Sequence, residues 1–61
     1  MEWSVKEICD YYIRVEISYF FGDFTKVEYE TRIKNMNKYC QQHWGAKVDV
    51  IYDTYNKKEQ A

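Results

Sequence analysis

Cys9, Cys40 and His43 are the side chains of this sequence whose chemistry could reach beyond packing. Cys40 and His43 stand three positions apart, so on a helix both lie on one side, and Cys9 could meet them from a neighbouring segment. Completed by Asp10 or water, the trio is a candidate zinc set. Structural zinc sites pair cysteines at close spacing, however, and this chain has a single Cys-x-x-His pair. A buried free thiol otherwise behaves as a small hydrophobe. Cysteine–histidine catalysis needs a turn that presents the nucleophile and donors for an oxyanion, and neither accompanies Cys40. No metal, cofactor or catalytic residue is therefore expected, and the chain does not read as an enzyme.

Glu16 is the other residue of chemical interest. On a helix its angle falls between Val5, Cys9 and Phe20, inside an apolar arc. A carboxylate there is paired, protonated or at an interface, or it keeps its head group in water at the rim. At an interface it would meet Arg or Lys of another chain. No second carboxylate stands with it for general acid–base work.

The elements that hold these residues begin with one phrase written twice. "WSVKEI" at residues 3 to 8 and "FTKVEY" at residues 24 to 29 each run aromatic, hydroxyl, two residues, Glu, apolar. Ser4 and Thr25 can accept from the backbone N–H three positions on, where Glu7 and Glu28 can reach back to the cap's own N–H. Trp3 on Ile8 and Phe24 on Tyr29 would be the hydrophobic staples. The two capping boxes predict helix 1 at about residues 5–21 and helix 2 at about 26–44, with left-handed caps at Gly22 and Gly45. The short Gly22-Asp23-Phe24 connection predicts an antiparallel hairpin.

Helix 2 places Tyr29, Ile33, Met36, Tyr39, Cys40 and Trp44 on one face and Lys26, Glu30, Lys34, Asn37, Lys38 and Gln41 on the other. Helix 1 is apolar over more than half its circumference, with Ile17 and Phe21 beyond the main face, so one partner helix cannot cover it. Residues 47–56 fit both periods: Val48, Val50 and Tyr52 alternate, while Val48, Ile51, Tyr52 and Tyr55 recur as on a helix. A third helix is preferred, because a lone strand has no hydrogen-bonding partner. The polar tail from Asn56 to Ala61 is expected to fray. The fold class is then all-α: one small domain over residues 1–61, a hairpin plus a short C-terminal element, with the core completed by self-association as a dimer or by docking on a larger protein.

Composition narrows the function. The 61 residues carry nine basic and ten acidic side chains, net −1, which suits neither a polyanion binder nor a DNA mimic. Aromatics make up 20%, with seven tyrosines, a composition that favours half-buried surfaces and interfaces. Two cysteines without a basic-then-apolar leader point to a reducing, cytoplasmic setting. No stretch approaches a membrane span, and the basic residues do not flank one apolar face as an interfacial helix requires.

"WSVKEICDYY", through Trp3, Val5, Glu7, Ile8 and Tyr12, resembles the first helix of the winged-helix excisionase and MerR-type DNA-binding family. That resemblance implies a tight Gly-centred turn and a short recognition helix, where this chain continues its helix through "IRVEISYFF". Lys34, Asn35, Asn37, Lys38, Gln41 and Gln42 are residue types that read bases. Residues 26–44 nonetheless hold four bases against two acids, and the first 25 residues two against five, little for a phosphate-binding surface. DNA-binding regulation is thus the alternative. The first expectation is a small non-enzymatic regulator or inhibitor, by analogy with those of bacteria and their phages, that grips a larger host protein. Its partner-binding residues are expected to be Tyr11, Ile17 and Phe21, with Glu16 supplying a charge.

Overall fold

Both repeated phrases start helices. Ser4 Oγ accepts from the Glu7 N–H at 3.2 Å and Glu7 Oε1 accepts from the Ser4 N–H at 3.0 Å. Thr25 and Glu28 repeat the exchange at 3.2 and 3.0 Å. These boxes open α1 (Val5–Phe20) and α2 (Lys26–Trp44), satisfying donors that a helix start leaves without partners. The computed structural model describes residues 2–60, with side chains through residue 57. Within that range the chain is all-helical, and α3 (Val48–Gln60) completes it.

The two glycines end the first two helices as expected. Gly22, at φ +83°, lets the chain reverse so that its N–H reaches the Tyr19 carbonyl and the Asp23 N–H reaches that of Ser18. Gly45, at φ +71°, closes α2 onto the Gln41 carbonyl. A side chain at either position would be strained by the left-handed backbone.

The C-terminal segment is the helix that periodicity favoured over a strand. It runs through Gln60, a turn beyond the expected end near residue 56. Thr54 and Asn56 donate back to the Val50 and Tyr52 carbonyls at 2.9 and 3.0 Å, and Lys57-Lys58-Glu59-Gln60 are good helix formers. The backbone is helical as far as Gln60, and Ala61 lies outside the described residues.

The start of α3 is held from outside. Asn37 Oδ1, on α2, accepts from the Val48 N–H at 2.9 Å. Asn37 is therefore not on a solvated face: it is half-buried and acts as the cap that the sequence before Val48 lacks. Helical periodicity assigned it to the polar side because the angle was read against α1 alone.

The core is formed by Ile8, Cys9 and Val15 of α1, Met36 and Cys40 of α2, and Val48 and Ile51 of α3. Every buried residue among the described ones is apolar or a thiol. An aliphatic side chain of this kind contributes about 1.5–3 kcal/mol when fully buried. Helix α1 is the common element, packed more extensively against α3 than against α2. The apolar surplus of α1 is thus partly covered within the chain, because α3 supplies the second wall that α2 alone could not.

Candidate functional site

Contacts between α1 and α2 run in reverse order along the two helices. Trp3, just ahead of α1, donates its backbone N–H to the Tyr39 hydroxyl at 2.7 Å. Arg32 Nη1 donates to the Tyr11 hydroxyl at 3.2 Å, and its guanidinium lies 4.4 Å over the Phe24 ring. At the other end Tyr29 donates to Glu16 Oε1 at 2.7 Å and stacks on Tyr19, centroids 4.1 Å apart.

Glu16 and Tyr19 of this group border an exposed apolar surface. On it Ile17, Phe20 and Phe21 are 50, 85 and 74% exposed. Phe20 and Phe21 meet edge to face at 5.5 Å, and together with Glu16, Ile17 and Tyr19 they line an open depression at the C-terminal end of α1. The cause is local. The Gly22 turn takes the chain away at Phe21, so α2 covers the Tyr19 side of the helix end while Ile17 and Phe21, one turn apart, face outward.

The expected site residues fare differently. Ile17 and Phe21 lie together, uncovered, as their helical angle predicted. Tyr11 does not lie beyond the reach of α2. It is half-buried against the core, 5.3 Å from the Trp3 ring, and accepts from Arg32 of α2. The length of Arg32 bridges a distance that backbone periodicity does not register. Glu16 is at the edge of the depression, but an oxygen is already engaged by Tyr29, so pairing within the chain answers the carboxylate in the apolar arc. Phe20, which belongs to the apolar arc of α1 by helical angle, is instead the most exposed large apolar side chain described. Its position three residues after Ile17 was the signal that could have placed it with the outward face.

Tyr12 and Tyr29 share the Glu16 carboxylate's influence. Tyr29 is pushed up to about 12, first by its hydrogen bond to Glu16 and then by burial. Tyr12 is also pushed up to about 12, chiefly by burial, with Glu16, Asp49 and Asp53 adding negative charge nearby. A phenol whose folded value exceeds its unfolded value near 10 stabilises the fold below pH 10, and that contribution is lost as pH rises toward 12. Phenolate absorbance is expected to show a late ionisation near pH 12 that Glu16→Gln moves to lower pH. Loss of the late step only on unfolding, with no response to Glu16→Gln, would contradict the assignment to this carboxylate.

The candidate zinc set does not assemble. Cys9 and Cys40 are buried as free thiols, and burial pushes both above the ordinary thiol value. His43 instead is exposed and stacks on Tyr39, centroids 4.1 Å apart. Cys40 and His43 are separated because the core claims only one edge of α2's last turns. Among the described residues no three His, Cys, Asp or Glu side chains gather as a metal would require.

A second apolar surface lies at the opposite end of α1 and was not foreseen. Val5, Trp44, Ala46, Val50, Ile51, Thr54 and Tyr55 wall an open groove of about 480 Å³ between α1, the turn after α2, and α3. Val50 is 53% exposed. No helix among the described residues is long and apolar enough to cross a membrane.

What these features define as a class is a small all-helical protein, three helices among the described residues, with uncovered aromatic and aliphatic surface at both ends of α1. Comparison of the chain with protein-family models, curated proteins and solved structures finds no match.

Proposed function

We propose that this chain is a small non-enzymatic regulator or inhibitor that works inside the cell by binding a larger protein. The grip is the C-terminal end of α1, with Ile17, Phe20 and Phe21 as anchors and Glu16 at the rim. Tyr11, held by Arg32, lies on the same helix, on its α2 side. The reading takes α1 and α2 as an antiparallel hairpin and a homodimer as the working form.

One observation carries it. Three large apolar side chains stand uncovered together on a helix whose other side is committed to the core. Exposed apolar clusters rimmed by polar groups are characteristic of protein-binding surfaces, and aromatic anchors dominate such interfaces. Replacing Phe21 by Ala should cost about 2 kcal/mol of binding, roughly 30-fold in affinity, and leave helicity intact. Affinity capture from host lysate alongside circular dichroism measures both. Equal loss of capture and helicity would make Phe21 merely structural. DNA binding, the alternative, predicts a gel shift by the chain alone that weakens steeply with added salt.

A further inference from the structure

We propose that the partner segment seated on the Phe20–Phe21 end of α1 is basic: an apolar helix face edged with Arg or Lys. The proposal rests on the protein-binding reading above and names the chemistry of the partner.

The end of the molecule that carries the depression is acidic. From Glu16, on its border, to Glu30, next to Tyr29 on α2, the chain holds four acids (Glu16, Asp23, Glu28 and Glu30) against one base (Lys26), net −3. The whole chain is −1, so everything outside this stretch is +2. Asp23, Glu28 and Glu30 are exposed. Glu16 takes its hydrogen bond from the phenol of Tyr29, and a neutral donor leaves the charge of a carboxylate uncompensated. The nearest cations on either side are committed elsewhere. Arg32 reaches Tyr11 and lies over the Phe24 ring, and Arg14 lines a cleft that also holds Glu7 and Asp10. The last turn of α1 has no basic residue, so the negative end of its dipole adds to the same field.

Charge and aromatic surface together select the occupant. An apolar side chain of the partner fills the open depression of about 610 Å³. A flanking guanidinium can then lie on the face of Phe20 or Phe21, as Arg32 does on Phe24 within the chain, while its charge meets Glu16 or Asp23. The same field tells against other occupants. Nucleic acid and anionic lipid surfaces carry its own sign. A second copy meeting this face with the same face sets like charge on like charge. A basic segment is instead drawn in, with a faster encounter and fewer wrong partners.

Three labelled helical peptides test this on the full chain by fluorescence anisotropy. They share one Leu and Trp face and differ in their polar positions, filled with Arg, Gln or Glu. The Arg peptide should bind at least about tenfold tighter than the Glu peptide, with Gln between them. Added salt should narrow that gap. Phe21→Ala should weaken the Arg peptide by about tenfold or more. The double variant Asp23→Lys/Glu30→Lys, its helicity checked by circular dichroism, should bring the Arg and Glu peptides within about threefold of each other. Equal affinity for the three peptides overturns the proposal, as does no binding of any, or an order that the double variant leaves unchanged. Phe21-dependent adsorption to phosphatidylglycerol vesicles, or Phe21-dependent self-association in sedimentation, overturns it too. If capture of a larger protein still depends on Phe21 in those cases, the functional reading stands without a basic partner; loss of that dependence ends the reading itself.

Discussion

Met36→Ala is expected to leave much of the chain unfolded at 37 °C. Met36 is buried at the centre of α2, in the cluster that also holds Ile8, Cys9 and Val48. Truncating a buried Met to Ala costs about 2–5 kcal/mol, from lost transfer energy and the cavity left behind. A single core in a chain of this length rarely supplies more than about 3–5 kcal/mol in total. Loss and total are of the same size, so the folded population collapses rather than merely shifting its midpoint. Met36→Leu keeps the volume and should cost less than about 1.5 kcal/mol. Thermal melts followed by circular dichroism at low protein concentration separate the two. A cooperative melt for Met36→Ala close to that of the wild type would mean that this cluster is not the core.

Asn37→Ala should release the start of α3. The Asn37 carbonyl oxygen is the acceptor for the Val48 N–H, and Val48 is among the most deeply buried side chains described. Removing the acceptor strands a donor beside the core, which costs about 1–3 kcal/mol. Asn37→Asp retains an oxygen at the same place and should keep most of the stability, whereas a merely polar surface position would not distinguish Ala from Asp. Amide exchange at Val48 reports the effect locally: protection should fall sharply in Asn37→Ala and persist in Asn37→Asp. Unchanged protection in Asn37→Ala would show that α3 begins without help from α2.

These two residues also mark the limits of what could be read from the sequence. Met36 was legible because a single helix's period places it with Ile33 and Cys40, and local periodicity is what a sequence displays most directly. The caps at Ser4 and Thr25 were legible for the same reason, since both partners of each bond lie within four residues. Asn37 was not, because its partner is 11 residues away on another helix. Tyr11 was misplaced for a related reason: the hydrogen bond that ties it to α2 comes from the long Arg32 side chain, 21 residues on. Ile17 and Phe21 were correctly set outside the main face of α1, yet Phe20 beside them was not, because its exposure depends on where α2 departs after Gly22. The groove containing Val5, Trp44 and Val50 depends on three elements at once and left no mark in any one of them.

The central claim is that the outward end of α1 is spare to folding and reserved for contact. Denaturant unfolding of the Phe20→Ser/Phe21→Ser chain, set beside the wild type, tests it most directly. The two free energies of unfolding are expected to lie within about 0.5 kcal/mol of each other, as for surface positions. A loss of about 2 kcal/mol or more, the size expected for a core truncation, would contradict it.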